Sequence, residues 1–139
     1  MSRTLSYLFP CLFCFAMGCG GAKYYPVEGT VTFADGKPLS GGSVEFRSEE
    51  EDTKGWNATA EIGQDGKFSV RTFRGDKYHP GAVIGKHSII VTPPPDEGSK
   101  AGVTPPAPLH ADMLSYDKSG LKFEVKPGPN TCPLTVRKP

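Results

Sequence analysis

Sulfur, net charge and helical periodicity are all scarce in this chain, and each scarcity removes a class of protein. Cysteine occurs four times, with three of the four in the first nineteen residues. Once residues 1–18 are set aside, only Cys19 and Cys132 remain, so an intradomain disulfide framework is excluded. Lysine plus arginine total 16 against 15 acidic residues, and losing Arg3 with the leader makes the two equal. A neutral chain carries no electrostatic footprint for nucleic acid or for anionic lipid. No apolar run reaches the ~18 residues of a permanent membrane-spanning helix. The apolar recurrence of an amphipathic helix is almost absent after residue 24. No Gly-x-Ser-x-Gly elbow or phosphate loop occurs, and no serine lies in a recognisable nucleophile motif.

Glycine (17) and proline (14) are abundant, close to the level at which disorder becomes a fair expectation. Period-two alternation over most of the chain argues against disorder and places these residues in turns. Val27, Gly29, Val31 and Phe33 alternate with Glu28, Thr30 and Thr32. Val44 and Phe46 form a second inward face, and Trp56, Ala58, Ala60 and Ile62 a third, with Trp56 capping the core. Phe68 to Val70 makes a fourth strand. His87, Ile89 and Val91 belong to a fifth that is apolar on both faces and therefore central. Leu121, Phe123 and Val125 precede a Pro-Gly-Pro-Asn turn at 127–130, and Cys132, Leu134 and Val136 close the sheet. Pro133 cannot donate to a ladder, which predicts an edge strand or a bulge. Asp35-Gly36 and Asp65-Gly66 supply tight turns. Pro93 to Pro108 reads as a long crossing loop, and the acids from Glu49 to Asp52 as a solvated one. The expectation is an all-β, seven-stranded antiparallel β-sandwich.

The first eighteen residues read as an export signal: Arg3, an apolar core from Leu5 to Phe15, then small residues. Ala16-Met17-Gly18-Cys19 resembles a bacterial lipobox, although leucine is commoner at the first position and methionine is unusual at the second. The resemblance implies that Cys19 is lipidated and becomes the new amino terminus; a plain secreted protein is the alternative. Three acyl chains exceed the two-signal threshold for stable anchoring. The expected organisation is a lipoprotein signal peptide at 1–18, a lipidated tether at 19–26 and a β-sandwich domain at 27–139. Gly20 is not the aspartate that marks retention in the inner membrane, which favours the outer membrane.

The segments VEGTVTFADGKPLSGGSVEF, GQDGKFSV, GKHSIIV and SGLKFEVKPGPN together resemble the small transthyretin-like, carboxypeptidase regulatory-like domains. In certain bacteria these occur as single-domain lipoproteins of about this length. The resemblance spans residues 27–136 and implies a prealbumin-like Greek-key sandwich that is generally non-catalytic. Hydroxyisourate hydrolases in the wider group are recognised by a C-terminal Tyr-Arg-Gly-Ser and by active-site histidines. This chain reads Thr135-Val136-Arg137-Lys138-Pro139 there.

Other candidate sites are weak. His79, His87 and His110 lack ligand spacing, and His87 shares a face with core residues. Cys132 has the parity of a small buried hydrophobe. Asp35 and Asp65 stand alone, without the several oxygens calcium needs. Arg74-Gly75-Asp76 spells an adhesion tripeptide but consists of turn-forming residues. Tyr78 and Tyr116, expected on loops, are the candidates for an exposed aromatic platform. The expected function is a non-enzymatic, lipid-anchored envelope protein without metal or cofactor, whose partners are the membrane and an envelope protein or glycan. A carbohydrate-binding accessory module is the alternative, and a transthyretin-like hydrolase comes third.

Overall fold

The computed structural model describes residues 20–95 and 109–139. Eleven strands follow in order: β1 (Tyr24–Tyr25), β2 (Val27–Phe33), β3 (Ser43–Ser48), β4 (Asn57–Glu61), β5 (Lys67–Ser69), β6 (Arg71–Arg74), β7 (Lys77–Pro80), β8 (Ala82–Val83), β9 (Gly85–Thr92), β10 (Leu121–Val125) and β11 (Asn130–Val136). Short 3-10 turns occupy Glu51–Thr53 and Ala111–Leu114. A six-stranded sheet in the order β10-β9-β3-β4-β6-β7 packs on a three-stranded sheet, β11-β2-β5, while β1 pairs with β8.

Alternation decides which side chains enter the space between the sheets. Val44 and Phe46 of β3, Ala58 and Ala60 of β4, and Ile89 and Val91 of β9 face inward from the large sheet. Val27 and Val31 of β2, Phe68 of β5, and Cys132, Leu134 and Val136 of β11 meet them from the small one. Phe46 is fully buried at the centre, with ring centroids 6.1 Å from Phe68 and 6.3 Å from Phe123. Removing a side chain of this size from water contributes ~1.5–3 kcal/mol. β9 lies between β10 and β3, the interior position its two-sided apolar pattern predicts. β11 is an edge strand, as Pro133 requires.

Three features differ from the sequence expectation. The β2–β11 pair is parallel, running from Asn130 opposite Val27 to Val136 opposite Phe33, whereas every other strand pair is antiparallel. Nearly the whole domain separates these strands, so no tight turn dictates their direction. Secondly, the chain changes sheets at Val70. Ser69 pairs with Glu28 in the small sheet, and Arg71 pairs with Thr59 in the large one. The fourth strand foreseen at 68–70 is therefore the last part of β5 and a corner. Thirdly, β6 and β7 form a hairpin that the alternation does not reveal, because its outer residues include Phe73 and Tyr78. Gly75 and Asp76, at φ 59° and 62°, make its two-residue turn. Two consecutive positive φ values are what a tight hairpin with right-handed twist demands.

The remaining turns follow the sequence. Asp35 and Asp65 each accept a hydrogen bond from the backbone two residues on, at Lys37 and Lys67, both at 3.1 Å. Gly36 and Gly66 follow at φ 82° and 80°. Asn130 clasps the last turn: its Oδ1 accepts from the Lys126 backbone, and its Nδ2 donates to the Lys126, Gly128 and Pro26 carbonyls. Of the expected crossing loop, residues 96–108 lie outside the described residues.

Candidate functional site

Cys19 and the preceding Ala16-Met17-Gly18 lie outside the described residues. The domain takes shape shortly after them, with β1 beginning at Tyr24. Gly20, Ala22 and Lys23 run along one end of the sandwich, where they line a groove of about 640 Å³ together with Trp56, Ile84 and Glu124.

Tyr78 and Tyr116 reach the same face of the domain, the outward face of the large sheet, by different routes. Tyr78 lies on β7, not on a loop as expected. It sits directly across from Phe73, with ring centroids 5.0 Å apart. The two are 57% and 54% exposed, and together they form an apolar pair at the sheet edge. The rings meet at 57°, and the Arg71 guanidinium lies 4.2 Å from the Tyr78 centroid. Tyr116 does lie on a loop but is half-buried. Its hydroxyl donates to Glu45, which also accepts from Asn57 Nδ2 at 2.9 Å, and Arg47 stacks 3.7 Å above its ring. Burial first, and then the bond to Glu45, hold its phenol above the ordinary range. Tyr116 therefore pins the loop to β3, and its ring face is already occupied. Phe73 was missed because nothing in a lone Thr-Phe-Arg marks a hairpin; the Gly-Asp turn beside it was the available signal.

Trp56 is half-buried just before β4, and its ring is stacked under the Arg74 guanidinium at 3.7 Å. Trp56 therefore does not cap the core as expected: it lies outside the core cluster, and Arg74 covers its ring. The acidic run is exposed along its length, as a solvated loop is, and its first two members are tied to the sheet. Glu49 accepts from Ser88 and Lys122, and these bonds, Lys122 first, hold its carboxyl below the usual range. Glu50 accepts from the Lys86 backbone at 2.8 Å, which ties the run to the start of β9.

The histidines are dispersed. His87 is 1% exposed, donates from Nδ1 to the Gly85 carbonyl at 3.0 Å, and is held below its ordinary value by burial. His79 stacks on Tyr24 at 4.3 Å and bonds the Arg74 carbonyl at 3.2 Å, while the Arg74 guanidinium turns away onto Trp56. His110 accepts from the Asp112 backbone at the start of a 3-10 turn. Cys132 is fully buried, and burial pushes its thiol up to about 12. Among the described residues, no three His, Cys, Asp or Glu side chains gather as a metal would require. No helix among them is long and apolar enough to cross a membrane.

The chain matches no protein-family model and no curated protein sequence. In fold it is similar to a DUF3823 family protein from Parabacteroides merdae, with a TM-score of 0.50 at 15% identity. The similarity covers 85% of this chain and 48% of that one. The chain thus spans about half the length of that protein. At this identity the likeness concerns the fold alone, and the all-β sandwich agrees with it.

Proposed function

We propose that this is an exported, lipid-anchored envelope protein that presents one non-catalytic β-sandwich for structural or binding purposes. The observation that carries the reading is Ala16-Met17-Gly18-Cys19 at the end of an apolar leader, five residues before the first strand. The sandwich supports assignment to the transthyretin-like, carboxypeptidase regulatory-like type, because the segments that carry that resemblance fall on β2–β3, β5, β9 and β10. The non-catalytic part rests on dispersed histidines, and on a buried thiol whose raised pKa keeps it from forming a nucleophilic thiolate. Export through the lipobox makes the envelope the location, with the outer membrane favoured by Gly20. Mass spectrometry of the amino-terminal peptide after expression in a bacterium tests the reading. A diacylglyceryl-modified Cys19 is the expected result; an unmodified Cys19 within an uncleaved chain would refute it.

One observation favours the alternative, a carbohydrate-binding accessory module: the exposed Phe73–Tyr78 pair. Rings that meet at 57° share no plane on which a sugar ring can lie across both, and Tyr116 is engaged by Glu45 and Arg47. A glycan-array signal lost in Phe73→Ala would establish this alternative.

A further inference from the structure

β10 is the outermost strand of the six-stranded sheet, and among the described residues it pairs with β9 alone. Its backbone groups divide between its two sides. The Glu49 N–H donates to the Lys86 carbonyl at 2.9 Å, and the Lys86 N–H donates to Glu50 at 2.8 Å, so the Lys86 backbone faces away from β10. Backbone direction alternates along an antiparallel strand, so His87 faces β10 and exchanges hydrogen bonds with Phe123 opposite it. Lys122 and Glu124, on either side of Phe123, therefore point their N–H and C=O groups to the open edge. No partner meets them there among the described residues. Leu121 and Phe123 are only half-buried, so apolar surface is uncovered beside the same edge. An open edge of this kind is a template for another strand.

We propose that a second copy of this chain pairs at this edge, β10 against β10, antiparallel about a two-fold axis at Phe123. Charge selects both the occupant and the register. A register centred on Lys122 sets that lysine against its own copy, and one centred on Glu124 sets two carboxylates together; like charges directly opposite oppose pairing. Centred on Phe123, Lys122 faces Glu124 of the second copy on both sides of the axis, and these are the residues whose backbone groups are free. The two Phe123 side chains then meet in a non-hydrogen-bonded pair, where cross-strand side chains come closest. Larger shifts are blocked: one centred on Val125 needs the Lys126 backbone, which Asn130 already occupies, and one centred on Leu121 needs Lys118, whose N–H is committed to a turn. The neighbouring charges fit the same register. Lys122 holds Glu49 at 2.5 Å, and its ammonium has further donors for a second carboxylate. Glu124 has no ion-pair partner among the described residues, and Lys86 lies across the ladder from it. Lys126 would face the uncharged Gly120, Glu50 is tied to the Lys86 backbone, and Arg47 is stacked on Tyr116. The two large sheets would join into one through a contact smaller than a standard interface, so the dimer is weak. The proposal does not depend on lipidation of Cys19.

The whole chain is purified in detergent, and its mass is followed by sedimentation over a range of micromolar concentrations. Wild-type protein should form dimers that dissociate on dilution. Glu124→Lys and Lys122→Glu each set like charges opposite one another at both pairs, and each should weaken the homodimer about tenfold or more. Mixed in equal amounts the two variants should dimerise again, because the positive edge of one then meets the negative edge of the other. Glu124 has no ion-pair partner to lose, so Glu124→Lys should keep the wild-type circular-dichroism spectrum. If Lys122→Glu fails to fold, the Glu124→Lys result alone decides. A wild type that stays monomeric at every concentration overturns the proposal. So does a Glu124→Lys protein that dimerises as tightly as the wild type, the result expected if two molecules merely share a micelle. Two folded variants whose mixture stays monomeric overturn it as well.

Discussion

Gly36 and Gly66 form a natural pair of controls, because their turns share the same chemistry and differ in their surroundings. Each follows an aspartate that accepts from the backbone two residues on, and their φ values are 82° and 80°. A Cβ on Gly36 would meet nothing within 4 Å. A Cβ on Gly66 would lie 2.7 Å from the Val31 carbonyl oxygen and 2.9 Å from Pro38 Cβ. That oxygen cannot withdraw easily. It accepts from Leu39, while Val31 itself donates to the Gly66 carbonyl at 2.8 Å, so the turn is stitched to β2 on both sides. Gly36→Ala should therefore cost only the left-handed backbone term, ~1 kcal/mol. Gly66→Ala should cost that plus ~1–3 kcal/mol of overpacking. At ~4 °C of melting temperature per kcal/mol for a domain near this size, the expected losses are ~4 °C and ~8–16 °C. Calorimetric or circular-dichroism melts under one buffer condition make the comparison. Equal losses would show that the Gly66 turn does not press on β2, and no loss at Gly36 would show that its φ is not positive.

Cys132→Ser should destabilise the domain by ~1–3 kcal/mol, because a fully buried hydroxyl gains no ready partner where the thiol packs against apolar neighbours. Native Cys132 should resist thiol-labelling reagents until the protein unfolds; rapid labelling without a change in melting would refute the inert core and reopen an enzymatic role. His87 is held below its ordinary 6.5 by burial, so below that pH the unfolded chain binds a proton that the folded chain resists. The His87 contribution is intact above pH 6.5 and declines as pH falls toward the depressed value, by at most about 1.4 kcal/mol per pH unit. His87→Phe should flatten that part of the stability profile, and parallel profiles for both proteins would contradict the assignment.

The inward faces of β2, β3, β4, β9, β10 and β11 were legible because one side of each strand is buried, which gives alternation a physical cause. The Asp-Gly turns were legible for the same kind of reason, since few residues tolerate positive φ. Strand direction was not. Val27 to Phe33 reads the same whether Asn130 or Val136 stands opposite Val27, and only the whole topology selects the parallel pairing. The β6–β7 hairpin escaped notice because burial does not impose one pattern on its outer residues: Phe73 and Tyr78 face solvent at an edge, while His79 is spent on Tyr24. Tyr116 was legible as a loop tyrosine, but its partners Glu45 and Arg47 are about seventy residues away in sequence, beyond any local pattern. The resemblance of Ala16–Cys19 to a lipobox rests on residue identity alone, so it could be read without any tertiary structure.

The central claim is that Cys19 holds this sandwich to a membrane, and cell fractionation tests it most directly. Wild-type protein and Cys19→Ala are expressed side by side, and membranes are separated from soluble contents and then washed. The wild type should remain in the membrane pellet until detergent releases it, and Cys19→Ala should leave the pellet. Equal amounts of the two proteins in the washed pellet would contradict the anchor.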